Sequence, residues 1–377
     1  MLPVANATVL PTRDAEHVRL LLDVPEVRAW IAALDDARWT GRTGYGSRAM
    51  VGMMLVKAVY ALPTWTRAAR LVADHAALRA VLGCVPSEQA CYRFTRKLRA
   101  DRAALDRCLD AVVSRLAVTL PGYGADLAVD GSDMPAYANG QRYVSRGGRL
   151  RERFSDPDAS WGHRSSVSTR SGGGYYGFKL HAAVCARTGL PVAWEVDTAR
   201  VSEVGHVGPL LDVAYARGVA IETVALDKGY DHQTVHDTVT AHGARPVIPL
   251  RMTPDVKRGA HLPPSCDHGA WVFAGAEAAR QTTKWRCPTG ECQPGSVRLP
   301  ASRLHPLIPR GTDRYRSLYR GRGAVEREFG RLKGEWGLKP LRVRGLDRVR
   351  LHADLTILAR LTTALVTAQA RALPLVA

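Results

Sequence analysis

Three acidic residues lie where a protein fold could bring them together. Asp130 ends the apolar run AVD, Asp227 ends VALD, and Glu326 lies in SLYRGRGAVEREFGRLK, which we predict to be helical. Neighbouring strand ends and a helix can converge on one site, although a single aspartate after a strand is more often a turn residue. Carboxylate oxygens are the ligands that Mg²⁺ requires, and two such ions can support attack on a phosphodiester. The combination favours metal-dependent phosphoryl transfer.

The predicted helix also carries cations beside Glu326. Tyr319, Arg322, Glu326 and Lys333 follow one another at spacings of 3, 4 and 7 residues. On one continuous helix these positions fall within an arc of about 60°. The alternative is a solvated helix face with an ordinary Arg–Glu pair, which is the commoner arrangement on helices in general.

These four positions match Tyr-x2-Arg-x3-Glu-x6-Lys, the signature of a large group of bacterial insertion-sequence transposases, and the chain resembles that family. The resemblance extends to AVDGSDMPA, GFKLHAAVCARTGLPVAWEV and VALDKGYDHQTVHDTVTAHGARPVIP. It covers about 125–249 and 315–361. It implies an α/β fold with a ribonuclease H-like mixed sheet flanked by helices. It also implies cleavage and strand transfer of double-stranded DNA at the terminal inverted repeats of an insertion sequence, by a homodimer in a synaptic complex.

Residue roles follow from the same resemblance. It implies that Asp130, Asp227 and Glu326 form a DDE triad that holds two Mg²⁺ (or Mn²⁺) ions, with Asp130 placed between them. It also implies that Tyr319, Arg322 and Lys333 contact DNA phosphates. Arginine can clamp a phosphate bidentately, whereas lysine acts as a point charge.

Other acidic residues compete for these roles. Asp133 and Asp231 follow the two aspartates closely, but they lie beyond the predicted strand ends, where turn and cap roles are commoner. Glu328 points about 160° away from Glu326 on a helix. We therefore exclude Glu328 and favour structural roles for Asp133 and Asp231.

The elements before the first aspartate are predicted to be helical. Apolar residues recur at spacings of three and four through 14–120, so we expect an all-α domain over 1–122. Within it, WTRAARLVADHAALRAVLG and VPSEQACYRFTRKLR resemble a helix-turn-helix that binds DNA, and a plain helical hairpin remains the alternative. The second segment carries a basic set, Arg93, Arg96, Lys97 and Arg99.

The pattern changes to α/β over 123–250, the first part of the predicted catalytic core. A loop is predicted over 139–174, with its three glycines 172–174 too bare for a phosphate-binding loop. A β-hairpin follows, then a helix near 204–217, a strand at 221–227, a helix near 233–242 and a strand at 245–250. The core resumes over 311–377 with helices near 317–336 and 346–370. His181 on a hairpin strand is expected to be packed and to have no catalytic role.

The segment 251–310 is predicted to be an irregular insertion. It offers four possible zinc ligands, Cys266, His268, Cys287 and Cys292, at spacings that match no standard finger. Unlinked, reduced cysteines are the alternative. Trp271, Phe273 and Trp285 form an aromatic core or, as in some relatives, stack on an unpaired base.

Composition agrees with a DNA partner. The 377 residues carry 53 Lys+Arg against 35 Asp+Glu, a formal net charge of +18, and 310–350 alone has 13 Lys+Arg against 5 Asp+Glu. The sequence has no long apolar run and no secretion signal at its start, and its seven cysteines form no dense framework. These features favour a cytoplasmic, nucleoid-associated protein. A related nuclease without strand transfer and an inactive DNA-binding regulator remain alternatives.

Overall fold

The computed structural model describes residues 12–37, 44–138, 155–164 and 172–372. The start of the chain and most of the predicted loop at 139–174 lie outside these ranges. The described part up to residue 120 is helical, as the apolar periodicity predicts. Its seven helices are α1 (Arg13–Asp23), α2 (Pro25–Asp36), α3 (Ser47–Val59), α4 (Trp65–Asp74), α5 (Ala76–Leu82), α6 (Glu88–Ala100) and α7 (Ala103–Thr119).

The segment resembling a helix-turn-helix contains three helices rather than two. His75 interrupts the first predicted helix, because its backbone is extended and its ring accepts a hydrogen bond from the Leu78 amide, which starts α5. Gly83 then ends α5 in the left-handed conformation, which glycine adopts at little cost. Ser87 caps α6, the basic helix.

A six-stranded mixed sheet forms the centre of the fold. β1 pairs antiparallel with β3, and β3 carries both β2 and β4 along its other edge. β5 lies parallel to β1, and β6 lies parallel to β5. The strands are β1 (Asp126–Pro135), β2 (Ser160–Arg164), β3 (Gly173–Cys185), β4 (Pro191–Thr198), β5 (Thr223–Ala225) and β6 (Arg245–Val247).

The predicted hairpin and strand–helix alternation are confirmed. β3 and β4 form the hairpin, and α8 (Val207–Ala216) and α9 (Gln233–Ala241) connect the following strands. The loop predicted over 139–174 is wrong in two places. β2 lies within it, and β3 already begins at Gly173, because pairing with a neighbouring strand orders a Gly- and Ser-rich segment that has no apolar alternation of its own.

The segment 251–310 is less irregular than expected. After α10 (Pro254–Lys257) come a two-stranded sheet of β7 (Ser265–Cys266) and β8 (Gly269–Ala270), and a three-stranded antiparallel sheet of β9 (Val272–Glu277), β10 (Thr282–Arg286) and β11 (Ser296–Pro300). Along β9 exposed and half-buried residues alternate. The sequence signal is weak because few of these strand residues face a core.

Three helices close the fold: α11 (Asp313–Arg320), α12 (Gly323–Gly334) and α13 (Leu346–Ala372). The single helix expected over 317–336 is therefore broken at Gly321 and Arg322. One apolar core runs from α1–α7 through the sheet to α12 and α13. No helix in the described ranges is long and apolar enough to cross a membrane.

Candidate active site

The two aspartates occupy matching positions at one edge of the sheet. In the parallel ladder of β1 and β5, the last paired residues are Ala128 and Ala225. Asp130, which is still on β1, and Asp227, which follows β5, each lie two residues beyond that pair, so the two carboxylates take equivalent positions on adjacent chain segments. Ladder register rather than sequence distance brings them together.

Asp130 lies in a largely buried position on β1, with a side chain that is 16% exposed. Burial raises its pKa to about 7, and the nearby carboxylates of Glu203 and Asp227 add to the rise. The Arg322 guanidinium and the Gly131 amide, which donates to Oδ1 at 2.8 Å, act in the opposite direction. Several carboxylates therefore crowd a position with little water to screen them.

Asp227 begins a short 3-10 turn, Lys228–Tyr230. Its Oδ1 accepts a hydrogen bond from the Gly229 amide at 2.7 Å. A Cβ at Gly229 would lie only 2.9 Å from the same oxygen, so glycine allows this close approach. The turn thus fixes one carboxylate oxygen and leaves the other free to bind a ligand.

Arg322 joins Asp130 to Glu326. Its Nη2 lies 3.0 Å from Asp130 Oδ2, and its Nη1 lies 2.8 Å from Glu326 Oε1. The first predicted carboxylate and the third therefore contact the same guanidinium. The Glu326 side chain is 60% exposed, in contrast to Asp130, so the pair spans the boundary between the core and solvent.

Tyr319 is half-buried, and the charges of all three predicted ligands act on it. Burial raises its pKa, and the charges of Asp227, Glu326 and Asp130 raise it further, while Arg322 lowers it. Its ring stacks on Tyr315 with centroids 5.9 Å apart.

Lys333 lies in a separate ionic group. Its Nζ contacts Ser132 Oγ at 2.6 Å and Asp133 Oδ1 at 3.4 Å. Asp133 also pairs with Lys339 and Arg164, both at 3.3 Å. Burial lowers the pKa of Lys333 to about 8, and Lys339 lowers it further. Asp133 accordingly acts as a shared counter-ion.

The two remaining acidic candidates also have structural partners. Asp231 is buried and accepts contacts from Arg303 Nη1 at 2.7 Å and from the Arg251 amide at 2.8 Å. Glu328 is fully buried and bonds to Arg360 Nε at 2.9 Å. It faces the core, two residues from the exposed Glu326.

Sequence reasoning missed a fourth carboxylate. Glu203 lies on the 3-10 turn Glu203–His206 and pairs with Lys179 Nζ at 2.6 Å. A Cβ at Gly131 would lie 3.0 Å from Glu203 Oε1, which shows how closely this side chain approaches β1. Glu203, Lys179, Asp227 and the buried Tyr230 line a cavity of about 480 Å³. The only sequence signal is an acidic residue shortly after a strand, which is too common to single it out.

The donor atoms are appropriate for divalent metal. Asp130, Asp227 and Glu326 offer hard oxygen ligands, and burial together with the neighbouring carboxylates raises the pKa of Asp130, so a cation bound there would stabilise its ionised form. Arg322 is the cation that joins two of these carboxylates here. The oxygens of Asp130, Asp227 and Glu326 do not all lie within 4.8 Å of one another. Among the described residues, only a group of three cysteines has its possible ligand atoms that close together.

That cluster contains three of the four predicted zinc ligands, Cys266, Cys287 and Cys292. The fourth, His268, lies apart, with Nδ1 3.4 Å from a Glu291 carboxylate oxygen. All seven cysteines are unlinked.

The aromatic residues of the insertion form a small core. Trp271 and Trp285 are buried, and Phe273 packs against them.

His181 on β3 is also buried, and its ring stacks on that of His206 with centroids 3.8 Å apart.

Comparison with known proteins gives a family match. The family model described as "Transposase DDE domain" matches residues 124–362. A search of curated proteins found no match. Among solved structures, the piggyBac transposase synaptic complex with hairpin DNA aligns at a TM-score of 0.38 and 13% identity, covering 96% of this chain and 78% of that one. That structural similarity is too low to carry an argument, but the family match spans well over half of the chain. The chain therefore belongs to the transposase DDE domain family.

Proposed function

We propose that the protein cleaves DNA at the terminal inverted repeats of an insertion sequence and joins the ends to target DNA. The observation that carries this proposal is the convergence of three carboxylates. Asp130 and Asp227 take matching positions, two residues past the last pair of the β1–β5 ladder, and Arg322 joins Asp130 to Glu326. We propose these three as the catalytic, metal-binding triad.

The sheet supports a ribonuclease H-like core. Its main path runs β4, β3, β1, β5, β6, with the first three strands antiparallel and the last two parallel to β1. Asp130 lies on β1, and Asp227 follows the parallel neighbour β5. Around this core we propose the division drawn from sequence: a helical DNA-binding domain at 1–122, core at 123–250 and 311–377, and an insertion at 251–310.

Divalent cations, Mg²⁺ or Mn²⁺, held by the triad would neutralise the phosphodiester and favour attack by water or a DNA 3′-hydroxyl. The chain's own groups then position the phosphate. Arg322 offers two parallel N–H donors to a phosphate once its carboxylate partners bind metal. Tyr319 can donate one hydrogen bond from beside the same carboxylates, and Lys333 adds positive charge near β1.

A second cationic surface supports DNA binding by the helical part. Six arginines surround a cavity of about 540 Å³ between α6 and the start of α13, and we call them the arginine rim: Arg93, Arg96, Arg99, Arg342, Arg344 and Arg348. Among the described residues, no carboxylate forms an ion pair with any of the six. Uncompensated charge of this kind attracts a polyanion. We propose that DNA lies along this rim while two copies of the chain act together as a synaptic dimer.

Cleavage in Mg²⁺ tests the proposal. Replacing Asp227 by Asn or Glu326 by Gln keeps side-chain shape but removes the charge that holds a hard cation, so cutting of a DNA carrying the element end should fall by about two decades or more. Binding to the same DNA should persist. Glu335 is exposed and lies at the end of α12, the helix that contains Glu326. Glu335→Gln is therefore the matched control, and this variant should cleave DNA normally.

Strand transfer separates the remaining alternatives. A labelled, pre-cut element end should be joined to target DNA by the wild-type chain. Cleavage without joining would identify a nuclease, and DNA binding without cleavage would identify a regulator. Near-normal cutting by Glu326→Gln would remove Glu326 from the triad.

A further inference from the structure

The cysteines of the insertion meet at one end of its small sheets. Cys266 lies on β7, Cys287 follows β10 directly, and Cys292 lies in the loop that leads to β11. Their sulfurs lie within 4.8 Å of one another although 26 residues separate the first from the last. Cys287 is buried, and the other two are half-buried.

The sulfur spacing distinguishes a metal site from a disulfide. Cys266 Sγ and Cys287 Sγ are 3.8 Å apart. A disulfide requires about 2.05 Å. Two thiolates bound to one tetrahedral zinc ion, each with a Zn–S bond of about 2.3 Å, lie about 3.8 Å apart. We propose that these three thiolates bind a structural zinc ion.

His268 is suited to be the fourth ligand. It lies in the two-residue turn between β7 and β8, directly after the Cys266 strand. Its Nδ1 faces the carboxylate of Glu291, the residue before Cys292. A carboxylate on one ring nitrogen orients the imidazole and leaves Nε2 to bind metal, as is usual for zinc-binding histidines. The ring must move toward the sulfurs when the ion binds, because it lies outside their 4.8 Å group.

The insertion has too small an apolar core to be stable without further support, and a bound metal ion would supply it. Its own apolar cluster has three buried members, Trp271, Trp285 and Cys287. A core this small contributes little stability, and small β-units commonly depend on a bound metal for it. Zinc would connect β7, β10 and the loop before β11 at a point where apolar packing does not.

The insertion in turn contacts the loop that carries Asp227. The ring of Trp285 packs on His305 with centroids 6.3 Å apart. Two residues earlier, Arg303 bonds to Asp231 at 2.7 Å, and Asp231 ends the turn that begins at Asp227. Zinc would therefore stabilise the part of the structure that contacts the proposed active site, and it would take no part in the chemistry. The zinc site does not depend on the proposed function.

Metal analysis of the full-length chain tests the proposal. Protein purified with a reductant and without chelator should contain about one zinc ion per chain by plasma mass spectrometry. Cys287→Ser and Cys292→Ser should lose it. Cys84→Ser, a half-buried cysteine in the helical part, and Asp227→Asn, at the carboxylate cluster, are matched controls and should keep it. His268→Ala should bind zinc at least about tenfold more weakly in competition with a chromogenic chelator.

Cobalt gives a second readout that needs no variant. Co²⁺ bound in place of zinc by the wild-type chain should show thiolate-to-cobalt charge transfer and the strong visible bands of tetrahedral cobalt. Wild-type protein with only traces of zinc, free thiols and no such bands would overturn the proposal. So would zinc that is lost in Asp227→Asn and kept in Cys292→Ser, because that result assigns the ion to the carboxylates.

Discussion

Arg322 shows how one residue can serve a site in two states. Its guanidinium pairs with Asp130 and Glu326, so that it lowers the pKa of Asp130 while both carboxylates raise the pKa of Arg322. Without a cation between them, two carboxylates in a poorly hydrated site repel each other. In the proposed mechanism, Arg322 would hold the carboxylates together without metal and would become available to a phosphate once metal binds them.

Two glutamates two residues apart should behave oppositely when each is changed to glutamine. Glu328 is fully buried against Arg360, whose side chain is 15% exposed. Burial raises the pKa of Glu328, while Arg360 and Arg331 lower it. Glu328→Gln leaves Arg360 without a counter-charge and should lower the free energy of unfolding by about 2–3 kcal/mol.

Glu326→Gln is the control for that measurement. The side chain is 60% exposed, so its free energy of unfolding should stay within about 0.5 kcal/mol of wild type. Urea unfolding of both variants with a chelator present measures the difference. Equal stabilities would contradict the separation of a catalytic from a structural glutamate.

At the scale of elements, the break between α11 and α12 changes the geometry of the signature. The tightened turn bonds Gly321 N to Leu318 O and Arg322 N to Tyr319 O, each at 3.0 Å. The four signature residues therefore do not share the single helical face that their spacing predicts. Tyr319 precedes the break and Glu326 follows it, and Arg322 at the break reaches Asp130.

The break predicts opposite effects for two glycine substitutions. A Cβ at Gly321 would lie 2.9 Å from the Leu318 carbonyl oxygen and 3.1 Å from Ala186 Cβ. Gly321→Ala should therefore cost about 1 kcal/mol or more. Gly330 is exposed within α12 and has nothing within 4 Å, so Gly330→Ala should gain about 0.5–1 kcal/mol. Thermal unfolding of both variants checks the signs, and a stabilising Gly321→Ala would show that the turn tolerates a side chain.

The sequence predicts elements best where periodicity and burial agree. The helices before residue 120, the β3–β4 hairpin and the position of Asp227 after its strand are predicted from the sequence, whereas β1 continues past Asp130 to Pro135 because it pairs with β3. It fails where tertiary pairing decides the structure. β2 has no alternation of its own, and Glu203 reaches the site only because β4 lies beside β3. The strands of the insertion pack on only a small apolar cluster. They therefore carry little apolar alternation in the sequence, and they also need a source of stability other than apolar packing.

At the scale of the whole molecule, α13 connects the helical part to the sheet. It packs against α3, α6 and α7 of the helical part and against β4 of the sheet, within one apolar core. The start of α13 carries Arg348 of the arginine rim, and its middle carries Arg360, the partner of Glu328. The arginine rim, where we propose that DNA binds, and the helix of Glu326 thus both contact the same element.

The arginine rim should give DNA binding a measurable salt dependence. Burial and the charges of Arg348 and Arg96 lower the pKa of Arg99, which indicates crowding that a polyanion would relieve. Each rim arginine that neutralises one phosphate adds about 0.9 to the slope of log binding constant against log salt concentration. Arg96→Ala and Arg348→Ala should each lower that slope by about one unit, with a similar loss on element-end and unrelated DNA. Arg115→Ala, an exposed arginine on α7, is the control and should leave it unchanged. If Arg96→Ala and Arg348→Ala gave the same slope as Arg115→Ala, the DNA would not bind at the arginine rim.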